Sequence, residues 1–291
     1  MNSICKKRVR VSDWLMYGLI YLSAAISVFL IVGIVVYVVW NGLDKVNLKF
    51  LTTTTSVLKG TVGIAGNIVN TMYIIVLTML IATPIGVGAA IYLNEYARPG
   101  RFVRLIELAT ETLSGIPSII FGLFGMMFFG ETLGLGYSIL TGTLTLTLMV
   151  LPLITRNTQE ALKTVPDSYR NGAIGLGAGK WYMIRTILIP SALPGVITGV
   201  ILAVGRIVGE SAALLYTAGS GALLLAAGSP WQAYIEKIFM SGGTLTIQLY
   251  LSMSKGEYDV AYGIALVLLV IVLIINLITK LVAKKFDVNR K

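Results

Sequence analysis

The chain reads as an all-α polytopic membrane protein with six transmembrane helices, and three observations carry that reading. Of its 291 residues 56% are hydrophobic and 12% charged, with a mean hydropathy of +0.85, outside the range of soluble globular chains. Uncharged or nearly uncharged runs of about 20 residues, the length that crosses a bilayer as a helix, recur along it. Its Lys and Arg residues fall unevenly on alternate connecting segments, seventeen against five, with Arg206 left inside a span.

The first span is the uncharged run from Trp14 to Trp40. It is far longer than the ~7–15 residues of a signal-peptide core, so it reads as an uncleaved helix with an interfacial Trp at each end. Five more runs follow: Asn70 to Leu93, Leu105 to Phe129, Thr132 to Thr155, Ser191 to Tyr216 and Val260 to Ala283. Ser211 to Ile235 is also free of charge. Gly219, Gly221, Gly228 and Pro230 interrupt it, which favours the end of the fifth helix followed by an outer loop. Pro84, Pro117, Pro152 and Pro194 predict kinked or broken helices, tolerated where neighbouring helices or a wet cavity satisfy the freed backbone.

Six spans put both termini on one side. The segments on that side, 1–13, 94–104, 156–189 and 280–291, hold the seventeen basic residues, which makes it cytoplasmic by the positive-inside rule. The formal charge of +10 is therefore read against membrane topology and lipid rather than nucleic acid. On the outer side, the Thr52 to Ser56 run reads as a flexible, solvated stretch, and Gly219 to Asp259 as a loop that could dock an external protein. The expected organisation is 1–65 for the basic N-terminus, first helix and outer loop, 66–284 for the main membrane domain, and 285–291 for a basic tail.

The absence of His and the single Cys5 exclude a His-based triad, a disulfide framework and the usual transition-metal sites. No cluster of nucleophile, base and metal ligands suggests a membrane-embedded enzyme, and no internal symmetry suggests a secondary transporter. The Gly175 to Lys180 cluster is not a nucleotide loop, because Ile174 stands where its first glycine would be and Trp181 follows the lysine.

Arg206 and Glu210 are the chemically conspicuous residues, since an arginine near the bilayer centre costs roughly 2.5–3.5 kcal/mol on insertion scales. Their i, i+4 spacing predicts a pair on one helical face, neutralising itself beside a polar cavity. A packing salt bridge is the structural alternative. Arginine's planar fork suits an oxyanion. Glu210 could accept a hydrogen bond from protonated phosphate while repelling fully ionised sulfate. Thr71, Ser114 and Ser118 are further candidates to line a passage, although hydroxyls in membrane helices commonly bond the backbone. Glu107 and Glu111 are expected to pair with Arg101 or Arg104 or to face inner water, and Glu95 to pair with Arg98.

The inner loop Arg156 to Ile189 predicts a docking knob. Pro166 suits a helix start, Tyr169 to Ile174 can make two turns, and Gly175, Gly177 and Gly179 break them. Trp181, Ile184, Ile187 and Leu188 then recur at helical spacing up to Pro190. Arg170-Asn171-Gly172-Ala173, Gly177 and Ile187-Leu188-Ile189-Pro190 together resemble the permease loop of ABC importers. That family's pattern is Glu-Ala-Ala, a glycine four residues later and a closing Ile-x-Leu-Pro. Asn171 stands in place of the glutamate, so that carboxylate is absent here.

Ala90 to Tyr96, Gly115 to Gly122 and Gly205 to Leu215 resemble, in the expected order, the phosphate-specific permeases of the PstA type within the binding-protein-dependent transport family. The resemblance implies a type I ABC importer permease fold in a prokaryotic plasma (inner) membrane. It implies no cofactor on this chain, with ATP and Mg on a partner ATPase. It further implies a PstC-type sister permease, two ATPase subunits and an external phosphate-binding protein. Arg206 and Glu210 would then serve the substrate pathway, with Thr71 and Ser118 beside them, and Arg170, Asn171, Gly172, Ala173, Gly177 and Pro190 would form the ATPase-coupling loop. Another oxyanion, molybdate or sulfate, is the rival substrate.

Overall fold

The structure, a computed structural model, describes residues 11–56, 61–98, 100–225 and 228–286. The basic tail 285–291 lies largely outside the described residues, as does most of the basic N-terminal segment. α1 (Val11–Gly42) presents exposed apolar side chains along most of its length. Near its C-terminal end the Tyr37 and Tyr262 hydroxyls lie 3.2 Å apart with their rings edge to face.

After α1 comes α2 (Leu48–Thr52), capped by Asn47, whose side-chain oxygen accepts from the Phe50 N–H at 2.8 Å. The antiparallel pair β1 (Thr54–Ser56) and β2 (Thr61–Ile64) follows. The threonine run is thus ordered rather than a flexible stretch. β-Branched residues suit an extended ladder, and the Thr55 hydroxyl reaches the Gly63 carbonyl at 2.9 Å.

α3 (Ala65–Ile91) runs through Pro84 and continues in a π-helical turn, Tyr92–Tyr96, so the second span begins before the predicted Asn70. The third span is not one helix. α4 (Arg101–Gly115) and α5 (Ser118–Gly125) meet at 103°. Pro117 drives the residue before it out of helical geometry, and Ile116 and Pro117 are extended, with ψ of 132° and 139°. A π turn, Met126–Thr132, extends α5. Gly134 and Gly136, at φ +70° and +56°, turn the chain where side-chain-bearing residues would be strained. α6 (Ile139–Lys163) therefore starts later than the predicted fourth span, with the Ser138 hydroxyl accepting from Thr141 N at 3.1 Å.

α7 (Asp167–Gly175), α8 (Lys180–Met183), a π turn at Ile184–Leu188 and α9 (Ile189–Val208) carry the chain through the 156–189 loop and back into the bundle. Pro190 does not end the helix. A proline ring clashes with the carbonyl four residues back, and the wider π turn before it moves that carbonyl aside. Only then does the fifth span break, at Gly209, ahead of α10 (Ala212–Thr217). α11 (Trp231–Glu236), α12 (Leu245–Ser254) and α13 (Tyr258–Phe286) complete the order.

α3, α6 and α9 form the centre, where Ile74, Ala82, Leu146, Ile154, Ala203 and Ile207 are buried together. With little hydrophobic drive between helices in lipid, close packing of small residues holds them. A Cβ on Gly86 would stand 2.8 Å from Ile154 Cγ2, and one on Gly199 2.7 Å from Asn157 Cβ. A second cluster of Leu162, Val165, Ala173, Met183, Ile184 and Leu188 roots the 156–189 loop in the bundle. Ile184 and Leu188 are buried as their spacing predicted, but Trp181 is 61% exposed.

The region after Gly209 is not a free outer loop. α10 and α12 fold back, burying Ala213, Leu214, Leu245 and Ile247. Asn67 donates to the Gly243 carbonyl at 3.0 Å, and Asn70 to those of Gly221 and Gly243 at 2.9 and 3.2 Å.

Candidate functional site

Arg206 lies in the last turn of α9, about 24 Å beyond Pro190 at 1.5 Å per residue. Its side chain is exposed, and among the described residues no hydrogen bond or ion pair engages the guanidinium. The expected pairing with Glu210 does not form. The helix ends at Gly209, whose φ of −79° and ψ of −6° leave the helical path before the i, i+4 geometry is complete. Glu210 instead serves the next element. Its Oε1 accepts from the Ala213 N–H at 3.0 Å, and its backbone carbonyl accepts from the Thr246 hydroxyl at 2.8 Å. The carboxylate thus satisfies one of the free N–H groups at a helix start.

This break touches α5. A Cβ on Gly122 would stand 2.8 Å from Ala213 Cα, so Gly122 permits a backbone approach that no larger residue would. A cavity of about 140 Å³ lies between Ile119, Ser211, Leu215, Ile247 and Tyr250. The Gly115–Gly122 and Gly205–Leu215 motifs, distant in sequence, are therefore one junction. Ser118 opens α5 beside it and is half-buried. The Ser114 hydroxyl donates to Thr110 O at 2.9 Å. Thr71 is buried, with its hydroxyl donating to Asn67 O at 2.7 Å and accepting from Leu245 N at 3.0 Å, so both of its functions are engaged in packing.

The Ala90–Tyr96 motif belongs to a second junction, where the end of α3 meets the 156–189 loop. Glu95 pairs not with Arg98 but with Arg170, through Nη2 at 3.0 Å. Arg170 also donates to the carbonyls of Val165 at 2.8 Å and Leu162 at 3.0 Å, and it meets Asp167 at 3.1 Å. Asn171 and Gly172 face outward, and open space surrounds Gly172, so another protein can approach its backbone. Ala173 is buried beneath them. Gly177, at φ +81°, closes the helix, with its N–H on Ile174 O at 2.9 Å. Pro190 is half-buried at the start of α9.

Glu111 reaches Arg156 at 3.5 Å rather than Arg101 or Arg104, and both line a separate cavity with Glu107, Glu160 and Lys163. Sequence reasoning missed the buried Asn67 and Asn70, although two amides three residues apart in an apolar run were a visible signal. It also missed Lys237. That ammonium donates to the Leu223 carbonyl at 2.9 Å and lies 5.3 Å from the centre of the Tyr73 ring. Burial lowers its pKa.

Residues 82–288 match the model of the binding-protein-dependent transport system inner membrane component family. The chain belongs to that family. It is therefore the membrane-embedded permease subunit of an ABC importer, a multi-pass transport subunit and not an enzyme. A probable ABC transporter permease protein, YqgI of Bacillus subtilis, is 37% identical over 88% of each chain. The phosphate transport system permease protein PstA of Haemophilus influenzae is 35% identical over 72% of this permease and 74% of its own length. Among solved structures, a bacterial alginate ABC transporter in complex with an alginate pentasaccharide-bound periplasmic protein superposes with a TM-score of 0.68. That match covers 95% of this permease and 96% of the other chain at 16% identity. The MetNI methionine transporter in an inward-facing form gives a TM-score of 0.57 at 20% identity, covering 77% and 94%. Those likenesses show a type I permease fold, and the PstA relatives place this permease with the PstA type.

Proposed function

We propose that the permease passes inorganic phosphate inward and that Arg206 contacts the anion on its way. The observation that carries this is the exposed, unpartnered guanidinium one turn before a helix break. A structural arginine at such a place would have a carboxylate or carbonyls to hold. The identity to the Haemophilus PstA supports phosphate. A permease of this type forms half a pathway, so a PstC-type sister supplies the other half. Of two ATPase subunits, which bind ATP and Mg, one docks on the 156–190 loop, and an external phosphate-binding protein delivers the ion. Both termini are cytoplasmic in this reading, and the permease itself needs no cofactor. The free Oε2 side of Glu210 remains available to a protonated oxyanion.

The test is uptake of labelled phosphate into proteoliposomes holding the whole complex, with ATP supplied on the side of the 156–190 loop. Arg206→Ala is expected to reduce uptake by about tenfold or more, since a hydrogen bond to a charged group contributes about 1.5–3 kcal/mol. Undiminished uptake in an assembled Arg206→Ala complex would remove Arg206 from the pathway. Displacement of the label by sulfate or molybdate would replace the substrate and keep the transporter class.

A further inference from the structure

The inner end of α3 is gripped from two sides by the loop that carries α7 and α8. Arg170 holds the Glu95 carboxylate through Nη2 at 3.0 Å and Nε at 3.3 Å, while Asn94 donates to the same oxygen at 2.7 Å. On the other side, the Lys180 ammonium that opens α8 lies 4.9 Å from the centre of the Tyr96 ring. The π turn at Tyr92–Tyr96 aims both side chains at the loop.

The same helix grips the outer segment at its other end. Asn67 and Asn70 hold the Gly221 and Gly243 carbonyls, and the Thr71 hydroxyl accepts from Leu245 N. Ala65 to Tyr96 is a run of 32 residues, about 48 Å of helix. One rigid element therefore has polar fasteners on the inner loop and on the 219–245 segment.

The Glu95 and Arg170 side chains are 6% and 17% exposed. A buried ion pair is weak evidence for stability, since apolar residues of similar volume often do as well; what it adds is a fixed geometry. Asn171 faces outward, and of the two carboxylates that meet Arg170, Asp167 belongs to the loop itself and Glu95 to the end of α3.

We propose that Glu95 is a positioning residue. With Arg170 it ties the 167–175 helix to α3, so that displacement of the loop by the ATPase moves α3 and the outer 219–245 segment as one body. The inference rests on the reading of the chain as an ATP-driven permease, and it assigns the path by which the inner event reaches the outer face.

The experiment uses the assembled complex in proteoliposomes, with the permease carrying Cys5→Ser and Leu224→Cys. Position 224 is exposed in the outer segment, and its thiol is labelled with an impermeant maleimide, with and without ATP and vanadate. This readout needs no transported ion. In the parent complex ATP trapping is expected to change the labelling rate. Glu95→Gln is expected to abolish that change and to lower phosphate uptake by about tenfold, within the usual span of coupling between sites. The exchange Glu95→Arg with Arg170→Glu is expected to restore both. A Glu95→Gln complex that labels and transports like its parent overturns the proposal. So does a parent thiol indifferent to ATP, or a chain whose failure to assemble the exchange does not repair, which would make the pair a folding element. A thiol that responds in the parent and not in Glu95→Gln, without phosphate uptake by either, upholds the link and sinks the phosphate reading alone.

Discussion

Glu210 separates two roles that one carboxylate can hold. As a cap for α10 it needs only an oxygen that accepts from Ala213 N; as a charge near the anion path it needs its negative charge. Glu210→Gln keeps the acceptor and loses the charge, whereas Glu210→Ala loses both. Glu210→Ala is expected to lower the stability of the purified permease by about 1 kcal/mol, the usual worth of a cap, read as a lower Tm, with Glu210→Gln near the parent. If Glu210 also discriminates anions, Glu210→Gln alone reduces the preference for phosphate over sulfate in competition assays; an unchanged preference confines Glu210 to capping. The sequence made Arg206 and Glu210 conspicuous through their cost in an apolar run. It did not reveal their separation, because helical spacing presumes an unbroken helix and Gly209 ends it. Glu95 was mispaired for a related reason: Arg98 is near in sequence, and Arg170 is near only in space.

At the scale of elements, prolines and glycines were read with unequal success. Pro117 does break the third span, whereas Pro152 and Pro194 sit inside helices and Pro190 is passed through by means of a π turn. No proline or glycine within Ile184–Leu188 marks the turn in the sequence. Gly177 breaks the helix as its place in the glycine cluster predicts. Its φ of +81° belongs to the left-handed region, where a side chain costs roughly 1–2 kcal/mol. Gly177→Ala is therefore expected to loosen the 167–189 loop while the bundle stays intact. Hydrogen exchange should show faster exchange at the amides of Gly177 and Ala178, which close on Ile174 and Ala173, and an unaltered α6. Equal protection in both chains would mean that the loop relaxes at no cost.

For the whole molecule, length and hydropathy sufficed to find the long helices. Among the described residues five are long and apolar enough to cross a membrane, and a sixth crossing exists if the α4 and α5 pair counts as one span. What composition could not convey is that the charge-free region after Gly209 returns to the bundle, because its anchors are single amides on α3. Nor could it convey how much of the surface awaits company. α4 buries none of its residues: Phe102, Leu105 and Leu108 are each at least 60% exposed, while Glu107 and Glu111 lie exposed on the same helix. Carboxylates are costly against lipid tails, and bare apolar side chains are costly against water, so neither medium alone suits the whole of this helix. A copy without its assembly partners is therefore expected to be degraded faster than an assembled one. In cells expressing the chain without its partner genes, pulse-chase half-life is expected to fall well below that in the complete set, with early cleavage mapping between residues 97 and 116. A solitary copy as long-lived as an assembled one would show that lipid alone shelters α4.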